Sequence, residues 1–136
     1  MKKLITITRW IYSIFFLLIG AHSLLMYAGI LPAMDYSGSP EIVAFEEAIF
    51  STGFIGPIMA ITYFSSGILM LFKRTTPLGL VLLAPFVLVI LFTHLMLNGK
   101  PPLGIIIAFL WGLIAWQFRK AYIPMWNYSN EHNNES

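Results

Sequence analysis

The chain has 136 residues, of which 58% are hydrophobic and only 10% charged, and its mean hydropathy is +0.79. Soluble domains average about 45–50% apolar and about 25% charged residues, so eight basic and six acidic side chains cannot cover a water-soluble surface of this size. The composition therefore excludes an ordinary soluble enzyme, a nucleic-acid-binding protein and a disordered regulator. Cysteine is absent, which excludes thiol–disulfide chemistry, iron–sulfur clusters and cysteine-ligated zinc.

Four apolar segments are long enough, or nearly so, to cross a bilayer, because a spanning helix needs about 20 mostly apolar residues. We predict helices over residues 9–31, 54–72, 77–97 and 103–120. Each is a continuous apolar run, which excludes spanning β-strands, since the residues of such strands alternate in polarity. The sequence thus predicts an all-α fold, a polytopic membrane protein with a bundle of four transmembrane helices in a single domain over residues 1–126.

The only long loop lies between the first two predicted spans, over residues 32–53. Its Ser39-Pro40-Glu41 sequence is typical of a helix start, with a capping hydroxyl, a proline in the first turn and an acid near the positive end of the helix dipole. Apolar residues then follow at helical spacing: Ile42, Phe45 and Ile49. We expect a short amphipathic helix in this first outer loop, lying at the membrane interface.

Basic residues set the expected orientation, because positively charged loops are retained in the cytoplasm. Seven of the eight fall on one side of a four-pass topology, namely Lys2, Lys3, Arg9, Lys73, Arg74, Arg119 and Lys120. A three-pass alternative moves the last two to the opposite side and weakens this asymmetry. Both termini are therefore predicted to be cytoplasmic, with residues 127–136 forming a disordered polar tail.

Two histidines lie inside predicted spans, where ionisable residues are rare and usually functional. His22 follows the midpoint of the first span, and His94 is near the outer end of the third. Both suit hydrogen bonds between helices, which is the interpretation that we favour. The alternatives are bis-histidine haem ligation, for which the two depths differ by about 6 Å, a metal site shared with Glu46 or Glu47, and a proton relay that lacks visible further partners.

Residues 52–97 and the ending KAYIPMW at 120–126 resemble the DoxX-like family of membrane proteins. The matching features are Gly53 with Pro57, Gly67 followed by a basic pair, Pro77-Leu78, Leu83-Ala84-Pro85 and the histidine at position 94. The resemblance implies a small four-helix integral protein of the bacterial cytoplasmic membrane. It also implies a link to quinones, since some relatives are subunits of quinone-linked oxidases such as thiosulfate:quinone oxidoreductases.

The chain departs from the family pattern at two positions. The family often has a lysine shortly after the glycine of the first helix, where this chain reads Ala21-His22-Ser23. It often has a glutamate four residues before the glycine of the second helix, where this chain has Tyr63. In the family these two residues would form a buried ion pair, which is lost here. A hydrogen bond from Tyr63 to His22 or Ser23 would replace that pair at a lower desolvation cost.

The functions left open fall into two main classes. No catalytic constellation is visible and no catalytic residue is predicted, so we expect a small accessory or assembly subunit, in contact with the lipid bilayer and with a membrane-protein partner or a second copy of the chain. The alternative is a protein that binds a lipophilic, quinone-type ligand linked to membrane redox chemistry. No other cofactor and no metal is predicted, and an oligomeric channel or transporter is a third option. The candidate polar cluster comprises five residues: His22, Ser23, Tyr63, Ser66 and His94.

Overall fold

The computed structural model describes residues 2–32, 39–97 and 101–126. The helices are α1 (Lys2–Tyr27), α2 (Pro40–Ser51), α3 (Ile55–Leu71), α4 (Thr76–Met96), α5 (Pro101–Gln117) and α6 (Ile123–Trp126), with a 3₁₀ turn at Arg119–Ala121. No strand occurs in this described part of the chain. The predicted all-α class is confirmed.

The helices correspond in order to the predicted segments, and their bounds differ most at α1. This helix begins at Lys2 and continues to Tyr27, and its first three residues, Lys2-Lys3-Leu4, are good helix formers. It ends before Gly29, whose φ of 82° lies in the left-handed region that glycine adopts without strain. The helix predicted after Ser39 is present as α2, and Ile42 N donates to the Ser39 hydroxyl at 3.4 Å. The predicted tail, 127–136, lies outside the described residues.

The described helices are apolar enough for two to four membrane spans. α1 and α4 each meet the length and hydropathy expected of a spanning helix. α2 with α3, and α5 with the C-terminal turns, meet it only as pairs, and these pairs are bent at their breaks by 93° and 67°. The outer surface is also apolar, with Leu18 and Phe109 each 64% exposed. Such a surface is typical of helices that face lipid.

The four longest helices pack side by side in the order α1, α3, α4, α5, and a smaller contact between α5 and α1 closes the arrangement. The closest approach is between α1 and α3. Gly20 lies against the main chain of Phe64, and a Cβ at Gly67 would come within 2.7 Å of Leu17 N. Glycines at these two positions therefore let the two backbones touch, as small residues do between membrane helices.

The two ends of these packed helices differ in charge. One end, the basic end, is formed by the N-terminal part of α1, the turn between α3 and α4, and the end of α5. It carries every basic residue of the described ranges: Lys2, Lys3, Arg9, Lys73, Arg74, Arg119 and Lys120. The opposite end carries α2, and we call it the α2 end. It holds every acidic residue of those ranges: Glu41, Glu46 and Glu47.

Candidate functional site

Two of the five residues of the predicted polar cluster, Ser23 and Tyr63, line one groove. This groove, the α2 groove, lies among α1, α2 and α3 and has a volume of about 230 Å³. Its wall is mostly apolar and includes Ile19, Met26, Ile49, Met59 and Ala60. A concave apolar surface with a few polar groups is the usual form of a site for a small lipophilic molecule.

Helical periodicity explains why these residues share the groove. Residues three, four or seven positions apart lie on the same face of a helix. On α1, Ile19 and Ser23 are separated by one turn, and on α3 Met59 precedes Tyr63 by one turn. The two faces meet because Gly20 and Gly67 bring α1 and α3 into backbone contact.

The hydroxyl groups of Tyr63 and Ser23 are available for a ligand. Tyr63 is only 8% exposed, yet among the described residues its hydroxyl has no hydrogen-bond partner. The hydroxyl of half-buried Ser23 is also without one in these ranges. The hydrogen bond expected from Tyr63 to His22 or Ser23 is therefore not formed. Among the described residues, the Tyr63 oxygen is not one of the fully buried atoms without a partner, so it is accessible from the groove, where a ligand oxygen would reach it.

The ring of Tyr63 is held in place by aromatic contacts. Its centroid lies 5.5 Å from that of Phe16 on α1 and 5.7 Å from that of Phe86 on α4. The Phe86 contact is edge-to-face, with 77° between the ring planes. Such pairs prefer offset or edge-on geometry at these separations. The Tyr63 hydroxyl is thus presented from a rigid support.

α2 closes one side of the groove and is fastened at both of its ends. At its start, the Ser39 hydroxyl donates to the main-chain oxygen of Leu97 at 2.6 Å, which ties α2 to the end of α4. At its other end, Phe50 stacks on Tyr27 of α1 with 5.8 Å between ring centroids. The ring of Tyr27 in turn fills the space over Gly56, where any Cβ would collide with its hydroxyl.

Glu46 brings a carboxyl group to the groove wall from the middle of α2. Burial raises the pKa of this carboxyl above its ordinary value, and the nearby His94 acts in the opposite direction. The imidazole of His94 is itself engaged, since its Nδ1 lies 2.7 Å from the main-chain oxygen of Ile90 and must donate to it. The groove therefore combines the hydroxyls of Ser23 and Tyr63 with one carboxyl group, and Tyr27 also lines its wall.

The other three predicted cluster residues lie outside the groove. His22 is exposed on the outer face of α1. Ser66 is fully buried, and its hydroxyl has no hydrogen-bond partner in the described ranges. His94 packs against α5. A Cβ added at Gly104 of that helix would come within 2.8 Å of the Cβ of His94. His22 and His94 therefore do not share a site in the structure.

Glu46 is a charged groove residue that was absent from the predicted cluster, although the sequence signal for it existed. In the α2 sequence, Ile42, Glu46 and Ile49 recur at the spacing of one helical face, so the carboxyl follows the apolar side of the helix. An acid on the apolar face of a short helix beside a membrane span is a candidate for the site beneath it.

Comparison with known proteins gives no relative from which a function could be transferred. No protein-family model matches the chain, and neither a curated protein nor a solved structure is detectably similar to it. The function has to be inferred from the groove itself.

Proposed function

We propose that the protein binds the polar head of a lipophilic ligand in the α2 groove, and that this ligand is a quinone. The observation that supports this proposal most directly is the pair of hydroxyls, on Ser23 and Tyr63, that line an apolar groove without partners in the described residues. The carbonyl oxygens of a quinone accept hydrogen bonds, and its ring is apolar. Both properties match this wall.

The size of the groove indicates how such a ligand would lie. Sites that enclose a whole drug-sized molecule have volumes of about 300–1,000 Å³, and the α2 groove has about 230 Å³. It would accommodate a substituted ring and leave the isoprenoid tail outside, along the apolar surface of the helices. The carboxyl of Glu46 would face the ring and could exchange a proton with the reduced form.

The proposal includes a topology. We infer that α1, α3, α4 and α5 cross a bacterial cytoplasmic membrane in a DoxX-like arrangement, with both termini in the cytoplasm and α2 at the outer interface. The separation of basic and acidic residues between the two ends supports this orientation. The exposed apolar side chains supply the surface that lipid would contact.

An accessory role remains the second candidate, and the surface of α5 favours it. A Cβ at Gly112 would meet no atom within 4 Å, so the helix presents an open notch outward. Notches of this kind let another membrane helix approach closely. A quinone-binding subunit also needs a partner that supplies or removes electrons, so the two roles are compatible.

Two tyrosine variants test the ligand assignment. Tyr63→Phe removes the groove donor, whereas Tyr12→Phe removes a buried hydroxyl that donates to the main-chain oxygen of Ile107 at 3.1 Å. Each protein is purified in mild detergent, its extracted lipids and optical spectrum are analysed, and its affinity for a ubiquinone with one isoprene unit is measured. Loss of one hydrogen bond should weaken binding about fivefold in Tyr63→Phe and leave it unchanged in Tyr12→Phe.

A second pair tests the groove by filling it. Ser23→Leu places a large side chain inside, and His22→Leu places the same side chain on the exposed face of the same helix. We expect binding to be lost in the first variant and retained in the second. Unchanged binding in Ser23→Leu, or no saturable binding to the wild type, would overturn the proposal.

A further inference from the structure

A second cavity, of about 210 Å³, lies at the basic end between the N-terminal part of α1 and the end of α5. We call it the basic cleft. Of the four neighbouring pairs of long helices, α1 and α5 have the smallest contact. Three of the seven residues that line the cleft are cations, Lys2, Arg9 and Lys73, and none is acidic.

Arg9 is the central cation of this cleft and is nearly enclosed, with 8% of its surface exposed. Its Nη1 donates to the main-chain oxygens of Met70 at 2.8 Å and Leu71 at 3.0 Å, with the Thr76 hydroxyl at 3.5 Å. Within the described ranges it has no carboxylate partner, and its Nε and Nη2 donate to no protein atom. Buried cations are normally paired with an anion.

The surroundings of Arg9 add further positive charge that no acidic side chain of the described residues neutralises. Lys2 and Lys73 line the same cavity, and the described acids are all at the α2 end. Three like charges around one cavity repel one another unless an anion lies between them. The side-chain amide of Gln117 adds a neutral donor to the same wall.

We propose that the basic cleft binds the phosphate group of an anionic phospholipid. The free N–H groups of Arg9 suit a phosphate oxyanion, which guanidinium groups bind with paired hydrogen bonds. Lys2 and Lys73 would contribute compact positive charges from either side. Ile5 and Phe118 give the cleft an apolar wall, against which the glycerol and first acyl carbons would lie. This site is independent of the α2 groove, which is at the opposite end.

The two lysines can be tested with matched neighbours. The double variant Lys2→Gln/Lys73→Gln removes two charges from the cleft. Lys3→Gln/Arg74→Gln removes the same net charge from adjacent residues that do not line it. Arg9 is kept in both, because it also contacts the end of α3. Each protein is held in neutral detergent, and retention of phosphatidylglycerol and phosphatidylcholine is measured by native mass spectrometry.

We expect the wild type to retain one phosphatidylglycerol per chain in preference to phosphatidylcholine. The cleft variant should bind phosphatidylglycerol at least about tenfold more weakly, because two charge-assisted contacts are lost, while the neighbour variant should stay within about threefold. Helix content and elution profile are checked for both variants. Equal losses in the two variants, or no preference for the anionic lipid, would overturn the proposal.

Inorganic phosphate presents the same oxyanion as a lipid headgroup and is the other ligand that the cleft would bind. A competition experiment distinguishes these two ligands. Inorganic phosphate is added to the wild type loaded with phosphatidylglycerol, at concentrations up to a hundredfold excess over the lipid. Retention of the lipid supports a headgroup site. Displacement by inorganic phosphate, with a matching rise in Tm on phosphate alone, would show that the cleft serves a free anion and would overturn the lipid assignment.

Discussion

The guanidinium group of Arg9, on α1, donates a 2.8 Å hydrogen bond to the main-chain oxygen of Met70, near the end of α3. The last carbonyl groups of a helix have no partner within their own helix and carry the negative end of its dipole. A cation from a neighbouring helix therefore stabilises them. Arg9, which the sequence identified as one of the basic residues that set orientation, also caps α3.

Replacing Arg9 by leucine should lower the stability of the protein. Arg9→Leu leaves the oxygens of Met70 and Leu71 without this donor, and we expect a loss of about 2–3 kcal/mol, seen as a lower Tm in detergent. Arg119→Leu is the control, because Arg119 is exposed and its guanidinium contacts Trp116 of the preceding turn, through a hydrogen bond to the main-chain oxygen and a 4.9 Å approach to the ring. Its effect should be below about 0.5 kcal/mol. Equal Tm values for the two variants would contradict the capping role.

The contact between α1 and α3 predicts opposite outcomes for two glycines. In Gly67→Ala the new methyl would lie 2.7 Å from Leu17 N, so the helices must separate, at a cost of about 1–3 kcal/mol. In Gly112→Ala the new methyl meets no atom within 4 Å, and the better helix propensity of alanine should leave stability unchanged or slightly raised. Thermal melts of the two purified variants would check this. A loss in both would point to a general intolerance of the helices.

Two buried serines should also differ. Ser13 donates from α1 to the main-chain oxygen of Gly67 on α3, whereas the hydroxyl of Ser66 has no partner in the described ranges. Ser13→Ala should therefore lose about 1 kcal/mol, and Ser66→Ala should be neutral or more stable, because a desolvated hydroxyl is removed. The Tm values of Ser13→Ala, Ser66→Ala and the wild type, measured under the same conditions, test this difference. Marked destabilisation by Ser66→Ala would mean that its hydroxyl has a partner after all.

The buried carboxyl on α2 predicts a pH dependence. Because the pKa of Glu46 is higher in the folded protein than its ordinary value, the folded state binds this proton more tightly than the unfolded state. Protonation of Glu46 therefore contributes stability when the pH is below the pKa of the carboxyl in the unfolded chain. This contribution is lost as the pH rises through the higher pKa of the folded protein. Glu46→Gln should melt at a higher temperature than wild type at about pH 7, and the difference should shrink at about pH 5.

The control for this prediction is Glu47→Gln, the exposed neighbour on the same helix. It removes the same formal charge beside the same groove, and its Tm should follow the wild-type pH profile. Matching profiles for Glu46→Gln and wild type would show that burial does not perturb this carboxyl.

The sequence was sufficient for the helices because their signals are local. Long apolar runs, proline at helix starts and the Ser39 cap each depend on residues close together in the chain, and the structure places α2 to α5 near the predicted positions. The separation of charges was also readable, since it needs only the order of the segments. The number of helices that cross the membrane does not follow from these local signals. Only α1 and α4 have spanning length by themselves, whereas α3 and α5 reach it only together with their bent neighbours.

The candidate site was less predictable, because it depends on how each helix is rotated about its axis. His22 and Ser23 are adjacent in sequence, yet His22 faces outward and Ser23 faces the groove. Their apolar neighbours on every side give little indication of which face is buried. The positions of Gly20 and Gly67 set that rotation, since each glycine must face the other helix. Depth along the helix alone could not separate the two residues.

The uneven distribution of charge also makes the molecule an electric dipole along its length. Its basic and acidic ends are separated by roughly the 21 residues of α4, or about 32 Å. In an energised cell, the voltage across the membrane is negative on the side that the basic end is proposed to face. Each elementary charge carried to the other side works against about 2.3 kcal/mol per 100 mV. The field would thus oppose inversion of the protein for as long as the membrane is energised.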